Sequence, residues 1–277
     1  MIGNFSTGVK QIGLIGLIGL GASVAVVFAV FLAAGAAAGP ADSVQKEGKS
    51  DVARPTEHIS VMYVTLRNRT DSDVPDEFFG GARDRMHGGI CKVTFSSIRG
   101  LDQIAKAAPF YIPDEKVELS EIREMPVNRL LDEATTFSQS NPGNIVVYIH
   151  GYNIGFEKSC RRAAMFQRVL GLHDRLLLLS WPADGKLLKY TWDESDLVWS
   201  VPFMAQILKG IAKRIGYGKV DVVAHSLGAR GAVQALSRLA CHRPDKPLLK
   251  ELVLIAPDID RDIFRQELPA VRRLTDH

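Results

Sequence analysis

Val220-Asp221-Val222-Val223-Ala224-His225-Ser226-Leu227-Gly228-Ala229-Arg230 is a β-branched, mostly apolar run that meets a serine and continues directly into small, helix-compatible residues. A strand that turns straight into a helix brings the two backbones close together. Small residues must therefore flank the turn, and the serine hydroxyl is aimed above the carboxyl end of the sheet. Gly228 meets that demand, and Ala224 stands where glycine is usual but is still small. Ser226 is read as a nucleophile; the alternative is a serine that only caps the helix Leu227–Cys241.

Outward from this turn the rhythm is regular. Ile145–His150, Leu176–Trp181 and Leu249–Ala256 are short strands, apolar throughout, and they alternate with helical patterns over Phe156–Leu172, Asp193–Gly216 and Leu227–Cys241. Strands that are apolar on both faces between amphipathic helices predict an α/β domain, a doubly wound, mostly parallel sheet with helices on both faces. Upstream, Ile59–Leu66 and Ile90–Ile98 read as an early pair of strands separated by a loop from Asn68 to Gly89. That loop holds Asp71, Asp73, Asp76, Glu77, Asp84 and His87, yet no ligand spacing recurs in it, so a solvated loop is expected and no metal site is assigned.

From Gln11 to Gly39 there is no charged side chain, and Ile12–Leu32 is almost wholly apolar, long enough as a helix to cross a bilayer. Two readings stay open: an uncleaved transmembrane anchor, or a signal peptide cleaved after Ala36-Ala37-Ala38. Gly13, Gly16, Gly19 and Gly21 give this segment a small-residue face on which helices could pack closely. Residues 40–57 are polar and aperiodic, a flexible linker. The expected organisation is an apolar signal or anchor at 1–39, a linker at 40–57 and the catalytic-type domain at 58–277, exported or membrane-anchored. The 277 residues carry a net charge of only +3 with both signs interspersed, which argues against nucleic-acid binding. Cys91, Cys160 and Cys241 show no metal-type spacing; buried thiols are expected, with one disulfide left open if the domain is exported.

An acyl-transfer serine needs donors for a developing oxyanion. One is the N–H of Leu227, the residue after the serine; the other comes from the turn His150-Gly151-Tyr152-Asn153, where Tyr152 or Asn153 is in place. His150, Gly151, Asn153 and His225 are assigned to the substrate-binding surface, with His150 also bracing the loop. Asp258 and Asp260 follow the strand Leu249–Ala256 at its carboxyl end, where ligands of parallel sheets gather, so either is a candidate acid; Asp258 is preferred, and capping the following helix is the alternative for the pair. The triad order of serine, acid, histidine leaves only His242 and His277 downstream. His242 belongs to a loop at the far end of the helix after Ser226, so His277 is the candidate base. Leu249–Ala256 is expected to form a sheet edge.

Tyr148-Ile149-His150-Gly151-Tyr152-Asn153, Ser180-Trp181-Pro182, Ala224-His225-Ser226-Leu227-Gly228 and Ala256-Pro257-Asp258-Ile259-Asp260 occur in that order. Together they resemble the DUF900 group of bacterial α/β-hydrolase-like proteins, which is similar to lipases and esterases. Met62-Tyr63-Val64-Thr65, Asn68-Arg69, Phe79-Gly80 and Arg83 resemble its N-terminal strands, and Tyr190, Asp193, Ser195 and Ser200 fit its pattern. The resemblance spans roughly residues 59 to 268. It implies a carboxylic ester hydrolase without cofactor, acting on a small-molecule or lipid ester; the bacterial periplasmic or inner-membrane setting is expected from the apolar N-terminal segment. The resemblance also implies that the last strands of the fold are absent and the domain is incomplete at its C-terminus. A catalytically impaired binding or interaction module is the competing expectation.

Overall fold

The computed structural model of this protein describes residues 56–97, 115–184, 190–241 and 246–277. The apolar segment 12–32 and most of the linker lie outside these residues, as does His242. Among the described residues no helix is long and apolar enough to cross a membrane.

Seven strands form one mixed sheet: β1 (Glu57–Arg69), β2 (Phe79–Ser97), β3 (Glu115–Met125), β4 (Ile145–Ile149), β5 (Leu176–Ser180), β6 (Val220–His225) and β7 (Glu251–Ile255), in the order β3-β2-β1-β5-β4-β6-β7. β1, β5, β4, β6 and β7 run parallel, and β2 and β3 fold back as an antiparallel meander at one edge. The helices are α1 (Val127–Ser140), α2 (Phe156–Val169), α3 (Tyr190–Ile215), α4 (Leu227–Ala240) and α5 (Arg261–Arg272).

Every residue of β4 and β5 is buried, which is why these strands read as continuous apolar runs rather than alternating ones. Val64, Leu177, Leu179, Val147, Ile149, Val222 and Ala224 pack in one core with residues of α1, α3, α4 and α5. On the other face Tyr63 and Tyr148 meet Phe156 and Phe166 of α2. Helices therefore cover both faces, as the pattern predicts, and the parallel strands direct their carboxyl ends to one side, where Ser226 lies.

The expected loop from Asn68 to Gly89 is corrected. β2 begins at Phe79, pairs with Arg69 and continues through the glycine-rich stretch, with register shifts along the way. Glu115–Met125, a polar segment assigned no element from the sequence, forms strand β3. As an edge strand it needs only one covered face, supplied by residues such as buried Leu119, and its charges disfavour edge-to-edge pairing. The helix α1 also went unread; Leu130, Leu131 and Ala134 are its buried stripe.

β7 is the opposite edge of the seven-strand order, and its residues are half-buried. Its amino-terminal half is lined by the residues after α5. Leu249 pairs in parallel with Thr275, His277 donates its N–H to the Lys250 carbonyl (3.0 Å), and Leu252 donates to the His277 carbonyl (3.1 Å).

Candidate active site

Parallel pairing on both sides positions β6: Ala224 is in register with Ile149 of β4 and Leu254 of β7. Immediately after it Ser226 adopts φ 51° and ψ −123°. Positive φ at a side-chain-bearing residue is uncommon and strained, and persists where the surroundings over-determine it. Here they do. Ser226 N–H donates to the Ile255 carbonyl (2.9 Å), while the Ser226 carbonyl accepts from Ala229 N–H (3.0 Å) and Asp258 N–H (3.2 Å). The Ser226 side chain makes no capping hydrogen bond to α4, so the capping role does not account for it.

The turn's small residues have identifiable reasons. A Cβ on Gly228 would stand 2.1 Å from the His150 carbonyl oxygen, so the first turn of α4 passes against the end of β4 at a distance only glycine allows. A Cβ on Gly151 would lie 2.7 Å from His225 Nδ1 and 3.0 Å from Ser226 Cβ. The turn after β4 is thus laid directly against Ser226. Leu227 is buried at the first position of α4, where a backbone N–H has no intrahelical acceptor. Tyr152 follows Gly151 and meets the Tyr190 ring edge-on at 5.2 Å.

This turn is held from behind by a buried polar scaffold of Asp193, Arg67 and His150, of which only the bracing role of His150 was read from the sequence. Asn153, at φ 57°, donates its N–H to Asp193 Oδ2 (3.1 Å), and Asp193 Oδ1 accepts from Asp184 N–H (2.9 Å). One fully buried carboxylate on α3 thereby fixes the turns after β4 and β5, and burial raises its pKa. Arg67 of β1, 1% exposed, donates to the carbonyls of Ile154 (2.6 Å), Ala183 (2.8 Å) and Gly80 (3.2 Å) and to Ser180 Oγ (3.0 Å). Desolvation pulls this guanidinium down to about 10, and the Asp193 charge works the other way.

His150 belongs to the same scaffold, and its assignment to the substrate-binding surface is corrected. Its ring is fully buried and stacks on Trp181 at 5.2 Å; Nδ1 is 2.9 Å from the Gly151 carbonyl and Nε2 is 3.3 Å from Ser180 Oγ. The arrangement fits a neutral imidazole donating from Nδ1 and accepting at Nε2. Burial, reinforced by the Arg67 charge, pushes its pKa down to about 3. Trp181 Nε1–H donates to the His150 carbonyl (2.8 Å), so the residue braces the turn as anticipated. His225 is half-buried against Gly151, and burial lowers its pKa as well.

The two candidate acids separate cleanly. Asp260 accepts from Asp262 N–H (2.9 Å) and Ile263 N–H (3.0 Å) and caps α5, and these bonds lower its pKa. Asp258 lies beside the elbow through its bond to the Ser226 carbonyl. Its carboxylate accepts from the Tyr190 hydroxyl (2.5 Å) and lies 3.4 Å from Arg230 Nη2. Arg230 Nε–H also donates to the Asp258 carbonyl (2.7 Å), and Arg230 forms an ion pair with Glu194. Burial and then the Asp258 carboxylate raise the Tyr190 pKa.

His277 is not brought to Ser226. Its backbone pairs beside Glu251, whereas Ser226 pairs with Ile255. Four residues of strand, roughly 13 Å, separate those levels. That span exceeds an imidazole's reach, so the base assignment is corrected. A groove of about 440 Å³ where the end of β3 and the start of α1 meet β2, lined by Arg85, His87, Glu124 and Val127 among others, contains none of these site residues.

Residues 131–277 match the model of a family described as alpha/beta hydrolase of unknown function, DUF900. An uncharacterized protein of Nostoc sp. (strain PCC 7120 / SAG 25.82 / UTEX 2576) is 27% identical across 40% of this chain and 32% of that protein. The chain thus spans about a third of the length of this curated relative. No solved structure matches. With the strand, elbow and acid-bearing segments all inside the matched region, which exceeds half of the chain, the protein belongs to the DUF900 family of alpha/beta hydrolases of unknown function.

Proposed function

We propose that the protein is a serine hydrolase of carboxylic esters with Ser226 as its nucleophile. The observation that carries this reading is the positive-φ serine at the strand-to-helix turn, held by main-chain bonds and not used as a cap. In the proposed reaction Ser226 Oγ attacks the ester carbonyl, and the N–H groups of Leu227 and Tyr152 receive the oxyanion. The C–O bond to the alcohol then breaks, the leaving oxygen takes up the proton given by the Ser226 hydroxyl and departs as the alcohol, and water hydrolyses the acyl-enzyme to release the carboxylic acid and restore the Ser226 hydroxyl. Gly151, Asn153 and His225 shape the surface beside the acyl carbon, and Asp258, whose N–H donates to the Ser226 carbonyl, is the acid of this reading. Location follows the sequence: export, or anchoring at a bacterial inner membrane, through residues 12–32.

A second reading, a catalytically impaired hydrolase-like module for binding or interaction at a membrane, is favoured by one feature. The Asp258 carboxylate is engaged by Tyr190 and Arg230 rather than by an imidazole. Hydrolysis of p-nitrophenyl esters of graded acyl length separates the two. The first reading expects turnover that disappears in Ser226→Ala; equal background rates in both proteins would favour the second.

A further inference from the structure

Two thiols far from the elbow face each other across the sheet–helix interface. Residues two apart on a strand share a face, and directly opposed residues on neighbouring strands do too. Val61 and Tyr63 therefore lie on one face of β1, and Cys91, in register with Val61, lies on that face of β2. The covering element is α2, because the Tyr63 ring meets Phe156 edge-on at 5.0 Å. Cys160 comes four residues after Phe156, one turn along the same side of the helix. Both cysteines are fully buried free thiols, whereas Cys241 is exposed. Cys91 is among the neighbours that act on the Cys160 thiol, so the two side chains are close across this interface.

We propose that Cys91 and Cys160 are a dithiol pair that a disulfide oxidant joins, stapling β2 to α2. The exchange balances without a metal. The two thiols give up two protons and two electrons as the S–S bond forms, and the oxidant, a protein or glutathione disulfide, is reduced to two thiols. Burial and the neighbouring Cys91 thiol push Cys160 upward, so the reactive thiolate is scarce in the packed interior. The exchange therefore belongs to folding, before α2 closes over β2. The staple bears on the site because α2 begins directly after Gly155, at the end of the turn that flanks Ser226. It also closes a long loop in the unfolded chain and so removes conformational entropy from that state. None of this depends on the hydrolase reading.

The test uses the full chain in detergent, unfolded under reductant and refolded either in a glutathione redox buffer or fully reduced, followed by non-reducing peptide mapping and thermal melting. The expected result is a Cys91–Cys160 cross-linked peptide with Cys241 outside it, and a Tm several degrees above the reduced form that reverts with reductant. Cys241→Ala should keep the cross-link and the gain, and Cys160→Ala should lose both. A cross-link through Cys241, three thiols that end only as free or glutathionylated species, or a Cys91–Cys160 bond without a Tm gain would each overturn the proposal.

Discussion

Ser226 adopts a backbone conformation in which a side chain is costly, and its hydroxyl is not spent on the helix below it. Such strain persists only if neighbouring atoms enforce it, and here the Ile255 carbonyl, the Asp258 N–H and the close pass of Gly228 against His150 do so. Adding one methyl group should show how tight that enclosure is. Gly228→Ala forces apart α4 and the end of β4 and is expected to lower stability by about 1–3 kcal/mol, read from denaturant midpoints. An unchanged midpoint would mean that the approach is looser than 2.1 Å implies. His150 offers a second test. The unfolded chain takes up its proton below pH 6.5, while the folded chain refuses it down to about pH 3. Stability from this residue is therefore complete above 6.5 and lost as pH falls between those values, with a slope approaching roughly 1.4 kcal/mol per pH unit. His150→Gln should remove that slope; parallel pH–stability curves for the two proteins would contradict the assignment. The strand-to-helix turn at Ser226 was legible because strand, serine and helix are consecutive in the chain. Arg67 and Asp193 were not, since their partners Ile154, Ala183, Asn153 and Asp184 are distant in sequence or sit in turns with no periodicity.

At the scale of elements, the parallel strands were readable because burial on both faces leaves an unbroken apolar signature. β3 and the first part of β2 were not, because an edge strand satisfies its backbone on one side and carries charges or glycines that resemble a loop. The turns between elements depend on Arg67 more than on any local sequence. Arg67→Met leaves the carbonyls of Ile154, Ala183 and Gly80 without their buried donor and removes a buried positive charge that interacts with Asp193. We expect a loss of about 3 kcal/mol in urea unfolding, and the turns after β4 and β5 should exchange amide hydrogens faster. A variant with intact stability and unchanged exchange would show that these turns hold themselves. The two aspartates after β7 should also part company. Asp260→Ala removes the cap of α5 and should lower Tm while leaving reactivity at Ser226 in place, whereas Asp258→Ala should change that reactivity. Equal effects of both on reactivity would contradict the division of roles.

The described sheet joins an N-terminal region of β1, β2 and β3 to the region 131–277. Residues 131–277 carry the family match, the elbow, its bracing turn and Asp258. β1, ahead of them, contributes Arg67, which donates to the turns after β4 and β5 and to Gly80 of β2. An ester-hydrolase reading therefore rests on residues contributed from both regions, and on one serine above all. The most direct measurement is labelling of the folded full chain with a fluorophosphonate probe beside Ser226→Ala, with the modified peptide identified by mass spectrometry. The account predicts a single adduct on Ser226 that is absent in the variant. A folded protein that takes no label, or takes it equally in the variant, would contradict the claim that Ser226 is an activated nucleophile.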